Sequence, residues 1–277
     1  MCAGVRCFHR SENRFLVNIH QSHHAAYFAF RDQLLGPLRT TVLTSQQLRE
    51  AGRLIYGRAD GLSLYGIPAT DMAAKGITLL GRTVIECSID AYTAPVADAL
   101  AVLQAATPPQ GPDAGNPLIA DLFCGSGNFG YHLGRRLTRP VHASELDPAV
   151  FGTARNNLDR IGSAITLALT DYRDLLRELP ARSTHDTYVV EPPWGPAFTA
   201  DGLDLTRTSP PVPEILDDIR RSRGGLPCHV AIKTNDQIAH DSLARSFAGA
   251  RHLATITPDP CLPHGANMDF HLYELQD

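Results

Sequence analysis

Lysine is almost missing from this chain. Of its 25 basic residues only Lys75 and Lys233 are lysine, and the rest are arginine. The six cysteines are scattered and form no C-x-x-C pair, which argues against a zinc ribbon or a dithiol redox motif and leaves reduced, mostly buried thiols as the expectation. No apolar run is long enough to span a bilayer, and the opening stretch MCAGVRCFHRSENR lacks the apolar core of a signal peptide. A soluble cytoplasmic protein with no membrane partner is therefore expected. Positive charge is not in excess either, since the formal net charge is −4. Residues 1–110 hold 10 basic and 8 acidic side chains, and residues 111–277 hold 15 and 21. Proteins that hold long nucleic acids draw most of their affinity from basic surface, which this composition does not advertise.

What is present is a chain of 277 residues, enough for one large α/β domain or two smaller units. Residues 14–20 read as a strand, and Ser22 can cap a helix that Gly36-Pro37 ends. TTVLT (40–44) reads as a strand and Ser45 opens a further helix. LSLYGI, GITLL and RTVIECSI, within residues 62–90, read as strands between glycine turns. Residues 1–90 are thus expected to form a small α+β domain, with a possible role in substrate recognition. His20, His23 and His24 are spaced to share a helix face, but no carboxylate or cysteine joins them, so a polar helix start is expected and not a metal site.

From residue 91 to 277 the pattern changes. Residues 93–104 make a helix, with Thr93 as cap and Pro95 in its first turn. A Pro/Gly-rich connector follows, over 106–117. Strands are then expected at 118–122, 140–145, 165–169, 186–190 and 228–233, each with a helix after it, including one near 236–247. Two late strands near 252–257 and 268–275 complete the set. The RRSR run at 220–223 reads as a solvated helix end. Such alternation predicts an α/β fold with a doubly wound, mostly parallel seven-stranded sheet. Ligands of such sheets bind at the carboxyl ends of the strands, where Asp121, Glu145, Asp171 and Glu191 all fall.

The segment LIADLFCGSGNFG (118–130) is the centre of this half. A strand runs into a glycine turn and a helix N-terminus, which makes a cradle for a nucleotide-like ligand. Gly125-Ser126-Gly127-Asn128-Phe129-Gly130 satisfies G-x-G-x-x-G, and Glu145 lies twenty residues after Gly125, where a dinucleotide fold keeps its ribose carboxylate. A nicotinamide enzyme and a binding scaffold with a degenerate site are both compatible with that motif alone. Three features favour a different cofactor. Asp121 would crowd a pyrophosphate but suits a cation. Asp171 follows the third strand, within reach of an adenine amino group. Glu191-Pro192-Pro193-Trp194-Gly195 closes the fourth strand, an element a dehydrogenase does not need.

DLFCGSGNFG, SELDP, LTDY and EPPWG, in this order, resemble the class I S-adenosylmethionine-dependent methyltransferases over roughly residues 93–277. The Pro-Pro-Trp-Gly form, the FTADGLDL after it and the ARNNLDRIG segment are most similar to trimethylguanosine-synthase-like guanine-N2 methyltransferases. The resemblance implies S-adenosyl-L-methionine as cofactor, and N-methylation. It places Gly125 and Gly127 under the cofactor, Asp121 near its amino group, Glu145 on the ribose hydroxyls and Asp171 on the adenine. Phe123, Asn128, Leu146 and Tyr172 adjoin these positions and are counted with the cradle, although packing is the plainer role for Tyr172. Glu191 and the Pro192 carbonyl would accept hydrogen bonds from the target amine, and Trp194 would stack on its ring. Glu191 departs from the pattern, which has Asp, Asn or Ser there. That departure and the acidic second half put a small planar substrate, nucleoside-like or a natural product, ahead of RNA. The alternative is RNA guanine-N2 methylation, with residues 1–90 on the RNA. His264, in the late PDPCLPHGAN loop, is expected to be solvated.

Overall fold

The computed structural model describes residues 24–259 and 268–276. The expected strand at 14–20, as well as His20, His23 and His264, lies outside them. Residues 24–35 form α1, which stops at Gly36 as expected. Next comes α2 (Ser45–Tyr56), capped by Thr44 in a reciprocal box with Gln47. A two-residue hairpin follows, β1 (Ser63–Leu64) and β2 (Ile67–Pro68), and then α3 (Ala69–Met72), α4 (Gly81–Glu86) and α5 (Asp90–Ala105). The alternating half contains β3 (Ile119–Asp121), α6 (Asn128–Leu137), β4 (Val141–Glu145), α7 (Pro148–Arg160), β5 (Ile165–Leu169), α8 (Tyr172–Glu178) and β6 (Thr187–Val190). An insert carries the hairpin β7 (Phe198–Thr199) and β8 (Gly202–Leu203). The chain closes with α9 (Val212–Arg223), β9 (Cys228–Asn235), α10 (Ser242–Ser246), β10 (Arg251–Ile256) and β11 (Met268–Leu275).

Seven strands form one sheet in the order β10-β11-β9-β6-β3-β4-β5. All pairings from β9 to β5 are parallel, and β11 runs antiparallel to both its neighbours. This is the doubly wound α/β sheet expected from the alternation. Strand residues alternate between two cores. Ile119, Val189, Ala231 and Phe270 join one core with α5, α6 and α7, whereas Ala120, Tyr188, Val230 and Tyr273 join the other with α8 and α9. The first core continues without a break through Leu34, Leu48, Leu62 and Val84, so residues 24–90 share the apolar interior of one sheet face. No helix among the described residues is long and apolar enough to cross a membrane.

Several local expectations are corrected. The strand expected at 40–44 is reduced to a single bridge between Val42 and Leu80. Thr44 leaves it to cap α2, which begins at Ser45. Of the strands expected within 62–90 only the short β1–β2 hairpin exists, and RTVIE is helical. Its β-branched residues Thr83 and Val84 turn inward, Arg82 pairs with Glu86 one turn on at 2.8 Å, and Gly81 rests on the chain at Leu38. A Cβ at Gly81 would stand 2.3 Å from the Leu38 carbonyl oxygen, so tertiary packing overrides strand propensity here. α5 starts a turn earlier than predicted, which leaves Thr93 inside it, bonded back to the Ile89 carbonyl at 3.2 Å. The helix expected near 236–247 shrinks to α10, because residues 237–239 pair with Leu203 of the insert. Arg223 of the RRSR run is buried: its guanidinium meets Asp186 at 2.7 Å, while Arg220 pairs with Asp217 nearer the surface.

Candidate active site at the carboxyl ends of the strands

Strand alternation builds a row of charges. Ile119, Ala143, Val189 and Ala231 lie in the first core. Two residues further along each chain stand Asp121, Glu145, Glu191 and Lys233, which turn to the same face at the carboxyl end of the sheet. The junction between α4 and α5 (Glu86, Cys87, Ser88) crosses this row, bringing Ser88 from the first ninety residues onto Glu191 and Lys233.

The glycine turn follows β3. Gly125 and Gly127 have φ of +52° and +76°, and a Cβ on Gly127 would also press Leu158 at 3.2 Å. Glu145 fastens the turn from the next strand: Oε2 accepts the Gly125 N–H at 3.1 Å, and Oε1 accepts the Asp147 N–H at 2.8 Å. Burial raises its pKa. Asp121 is 1% exposed. Its Oδ2 accepts the Gly130 N–H at 3.2 Å, and its Oδ1 is buried with no well-formed hydrogen bond, although the Phe123 backbone N–H also acts on the carboxylate. Burial, and then the nearby Glu191 charge, push the Asp121 pKa up to about 8.

The turn is also held from the side of residues 24–90. Tyr65, itself at φ +60°, donates its backbone N–H to Asn128 Oδ1 at 2.7 Å and its hydroxyl to the Ser126 carbonyl. Asn128 Nδ2 donates to the Ser88 carbonyl at 2.8 Å. Asn128, expected in the cradle, is therefore fully buried, with its amide engaged by Tyr65 and Ser88.

EPPWG leaves β6 as a tight turn. The Pro193 carbonyl accepts from Ser209 N–H at 3.2 Å, and the Trp194 carbonyl accepts from Ala197 N–H at 2.7 Å. Pro192 is buried, and Trp194 is half-buried with its ring edge-to-face on Phe198, 5.5 Å between centroids. Phe198 is 51% exposed. Glu191 Oε1 accepts the Ser88 hydroxyl at 2.6 Å and meets Lys233 Nζ at 3.1 Å. Lys233 Nζ also reaches Ser88 Oγ at 2.9 Å and the Glu86 carbonyl at 3.2 Å, and it lies 5.7 Å from the Trp194 ring centroid.

The remaining expected residues spread around the rim. Asp171 caps α8, with Oδ1 accepting the Arg173 N–H at 2.8 Å. Tyr172 is buried, donates its hydroxyl to Asp218 at 2.6 Å and lies 5.0 Å from the Phe123 ring. Burial and Asp218 raise its pKa. Leu146 is 68% exposed, and Leu169, the register partner of Glu145, is exposed as well. His24 is exposed, and among the described residues no group of three His, Cys, Asp or Glu side chains could hold a metal ion. Three residues of the site were not read from the sequence. Lys233 carried two signals, being one of two lysines and following the apolar run of a strand. Ser88 and Tyr65 carried none.

No protein-family model matches the chain, and no curated protein matches its sequence. Solved structures resemble it at low identity. The precorrin-6y C5,15-methyltransferase of Geobacter metallireducens is 12% identical, over 69% of this chain and 91% of its own, with a TM-score of 0.45. TrmN from Thermus thermophilus is 20% identical over 75% of this chain and 53% of its own, with a TM-score of 0.44. MtNAS in complex with S-adenosylmethionine is 12% identical over 67% and 63%, with a TM-score of 0.42. Likenesses this distant fix neither reaction nor substrate.

Proposed function

We infer that the chain is an S-adenosylmethionine-dependent methyltransferase. We further infer that it methylates an amino or ring nitrogen of a small planar substrate, nucleoside-like or a natural product, that stacks on Trp194. The observation that carries this reading is the buried Asp121 Oδ1, without a well-formed hydrogen bond, beside the glycine turn. A buried acceptor short of a donor is costly, and the ammonium at the methionine end of the cofactor is a donor of the right charge. A pyrophosphate is not: Glu145 faces it from the same row and would repel it, as would Asp121 once ionised. Glu145 keeps lone pairs for ribose hydroxyls after holding Gly125 and Asp147. Asp171 Oδ2 and the exposed Leu146 suit an adenine edge and face.

S-adenosylmethionine supplies a methyl group already activated by its sulfonium. The chain's own residues have then to align a lone pair and exclude water. Trp194 and Phe198 offer a flat wall and an edge for an aromatic ring. The proline turn fixes the Pro192 carbonyl, which with Glu191 would accept N–H groups and set the direction of the amine lone pair. The finer likeness to trimethylguanosine-synthase-like enzymes rests on the Pro-Pro-Trp-Gly pattern. It also suits RNA guanine-N2 methylation, with residues 1–90 on the RNA.

Calorimetric titration with S-adenosylmethionine and with NAD⁺ tests the reading. Binding of S-adenosylmethionine alone supports it, and binding of NAD⁺ alone overturns it. RNA affinity that falls steeply with salt would replace the small substrate by RNA.

A further inference from the structure

We propose that Ser88 and Lys233 are positioning residues that fasten one oxygen of Glu191 so that the other is presented to the substrate amine. The proposal rests on the methyltransferase reading, and it is carried by the contacts that gather on one oxygen of Glu191. Lys233 Nζ donates to Ser88 Oγ at 2.9 Å and to the Glu86 carbonyl at 3.2 Å, and it stands in an ion pair with Glu191 Oε1 at 3.1 Å. Ser88 has one hydroxyl proton, and it goes to Glu191 Oε1 at 2.6 Å. Oε1 thus holds the Ser88 hydroxyl and the Lys233 charge, while Oε2 takes no hydrogen bond among the described residues. The carboxylate is half satisfied, and the free half belongs to the row that also contains Asp121 and Glu145.

This accounts for the glutamate at a position where the resembled family has a shorter side chain. The additional methylene lets the carboxylate reach sideways to β9 and to the α4–α5 junction. It also gives the first ninety residues a part in the site, since Ser88 belongs to them. Its carbonyl accepts from Asn128 under the glycine turn while its hydroxyl holds Glu191, so one residue ties the cofactor turn to the substrate acceptor. The ammonium 5.7 Å from the Trp194 ring further marks one side of that ring as occupied, leaving the substrate the other side.

The test uses the lone tryptophan as reporter, Trp194. The full chain, saturated with S-adenosylhomocysteine, is titrated with guanosine and inosine, then with adenosine and purine riboside, following quenching of Trp194 fluorescence. The members of each pair differ by one exocyclic amine. An N–H accepted by Oε2 makes the amine-bearing member of at least one pair about tenfold tighter or more, the range of a hydrogen bond to a charged group. Ser88→Ala should reduce that ratio below about threefold while the partner without the amine binds as before. Lys233→Met should do the same, and if it fails to fold the decision rests on Ser88→Ala, which loses only a hydroxyl. A ratio unchanged in Ser88→Ala makes the contact a fold staple and overturns the proposal. So does a wild-type protein that binds both members equally, or that binds none of the four. Failure to bind S-adenosylmethionine in calorimetry counts separately, against the methyltransferase reading itself.

Discussion

Glu191 and Lys233 follow the register pair Val190 and Ile232 on adjacent parallel strands, and their side chains close an ion pair at 3.1 Å while only 13% and 10% exposed. Removing one member of such a pair leaves the other desolvated and alone, at a cost of about 3–5 kcal/mol. Lys233→Met is therefore expected to lower the melting temperature by roughly 10 °C, given about 2–4 °C per kcal/mol for a chain of this size. The double variant Lys233→Met/Glu191→Gln should regain a large part of that loss. Chemical denaturation of the four proteins in the cycle checks it, and strictly additive losses would mean that the two side chains do not interact.

Arg223 sets a contrast at the opposite end of the sheet. All five of its N–H groups are used: Nε on the Leu226 carbonyl, Nη1 on Asp186 and the Tyr188 hydroxyl, and Nη2 on the Ser183 and Pro227 carbonyls. Asp186 in turn accepts the Leu118 and Arg182 N–H groups, so one ion pair fixes the entrances to β3 and β6. Arg223→Leu is expected to destabilise the fold by about 3–5 kcal/mol. At temperatures where it remains folded, S-adenosylmethionine affinity in calorimetry should be unchanged. A loss of affinity in the folded variant would show that the amino end of the sheet reaches the site.

These two pairs also mark what the sequence could disclose. Most strands and helices from 118 to 275 were legible because they are short periodic runs, the exceptions being the β7–β8 hairpin and the helix near 236–247 that shrinks to α10. The places of Asp121, Glu145 and Asp171 at the carboxyl ends of β3, β4 and β5 were legible because each closes or closely follows a short strand before a turn. Arg223 was not, because a helix-end arginine reads as solvated until the chain returns over it. Ser88 and Lys233 stand 103 and 42 positions from Glu191 in the numbering, and only sheet register and the path of α4 and α5 bring the three together. Thr83, Val84 and Ile85 read as a strand because propensity is local, whereas the contact that makes them helical, Gly81 against Leu38, is not.

Tyr65 couples the first ninety residues to the glycine turn. Its hydroxyl is buried on the Ser126 carbonyl, and burial raises its pKa, so it acts as a neutral donor. Tyr65→Phe keeps the ring on Tyr131 and the backbone bond to Asn128 but leaves the Ser126 carbonyl buried without its donor. A loss of about 1–3 kcal/mol is expected. If the freed turn also samples other conformations, S-adenosylmethionine should bind about three- to tenfold more weakly in calorimetry, a change of roughly 1 kcal/mol. A variant that loses stability but binds as tightly as wild type would confine Tyr65 to the fold.

Asp121 makes the pH dependence specific. Its pKa is pushed from 3.8 in an unfolded chain to about 8 in the fold, with burial the main cause. An acid with a raised folded pKa contributes stability below its unfolded value and loses it as pH rises towards the folded one. The protein without cofactor should therefore become less stable between about pH 4 and pH 8, and Asp121→Asn should flatten that slope and raise the melting temperature at pH 8. Binding runs the other way. The carboxylate that receives the cofactor ammonium must first lose its proton, so S-adenosylmethionine should bind more tightly as pH rises from about 6 to 8. Titration at pH 7 in buffers of different ionisation enthalpy should then register proton release. Asp121→Asn should bind weakly at every pH and release none. Wild-type affinity that stays flat over this range, with no proton released, would remove Asp121 from the cofactor's ammonium.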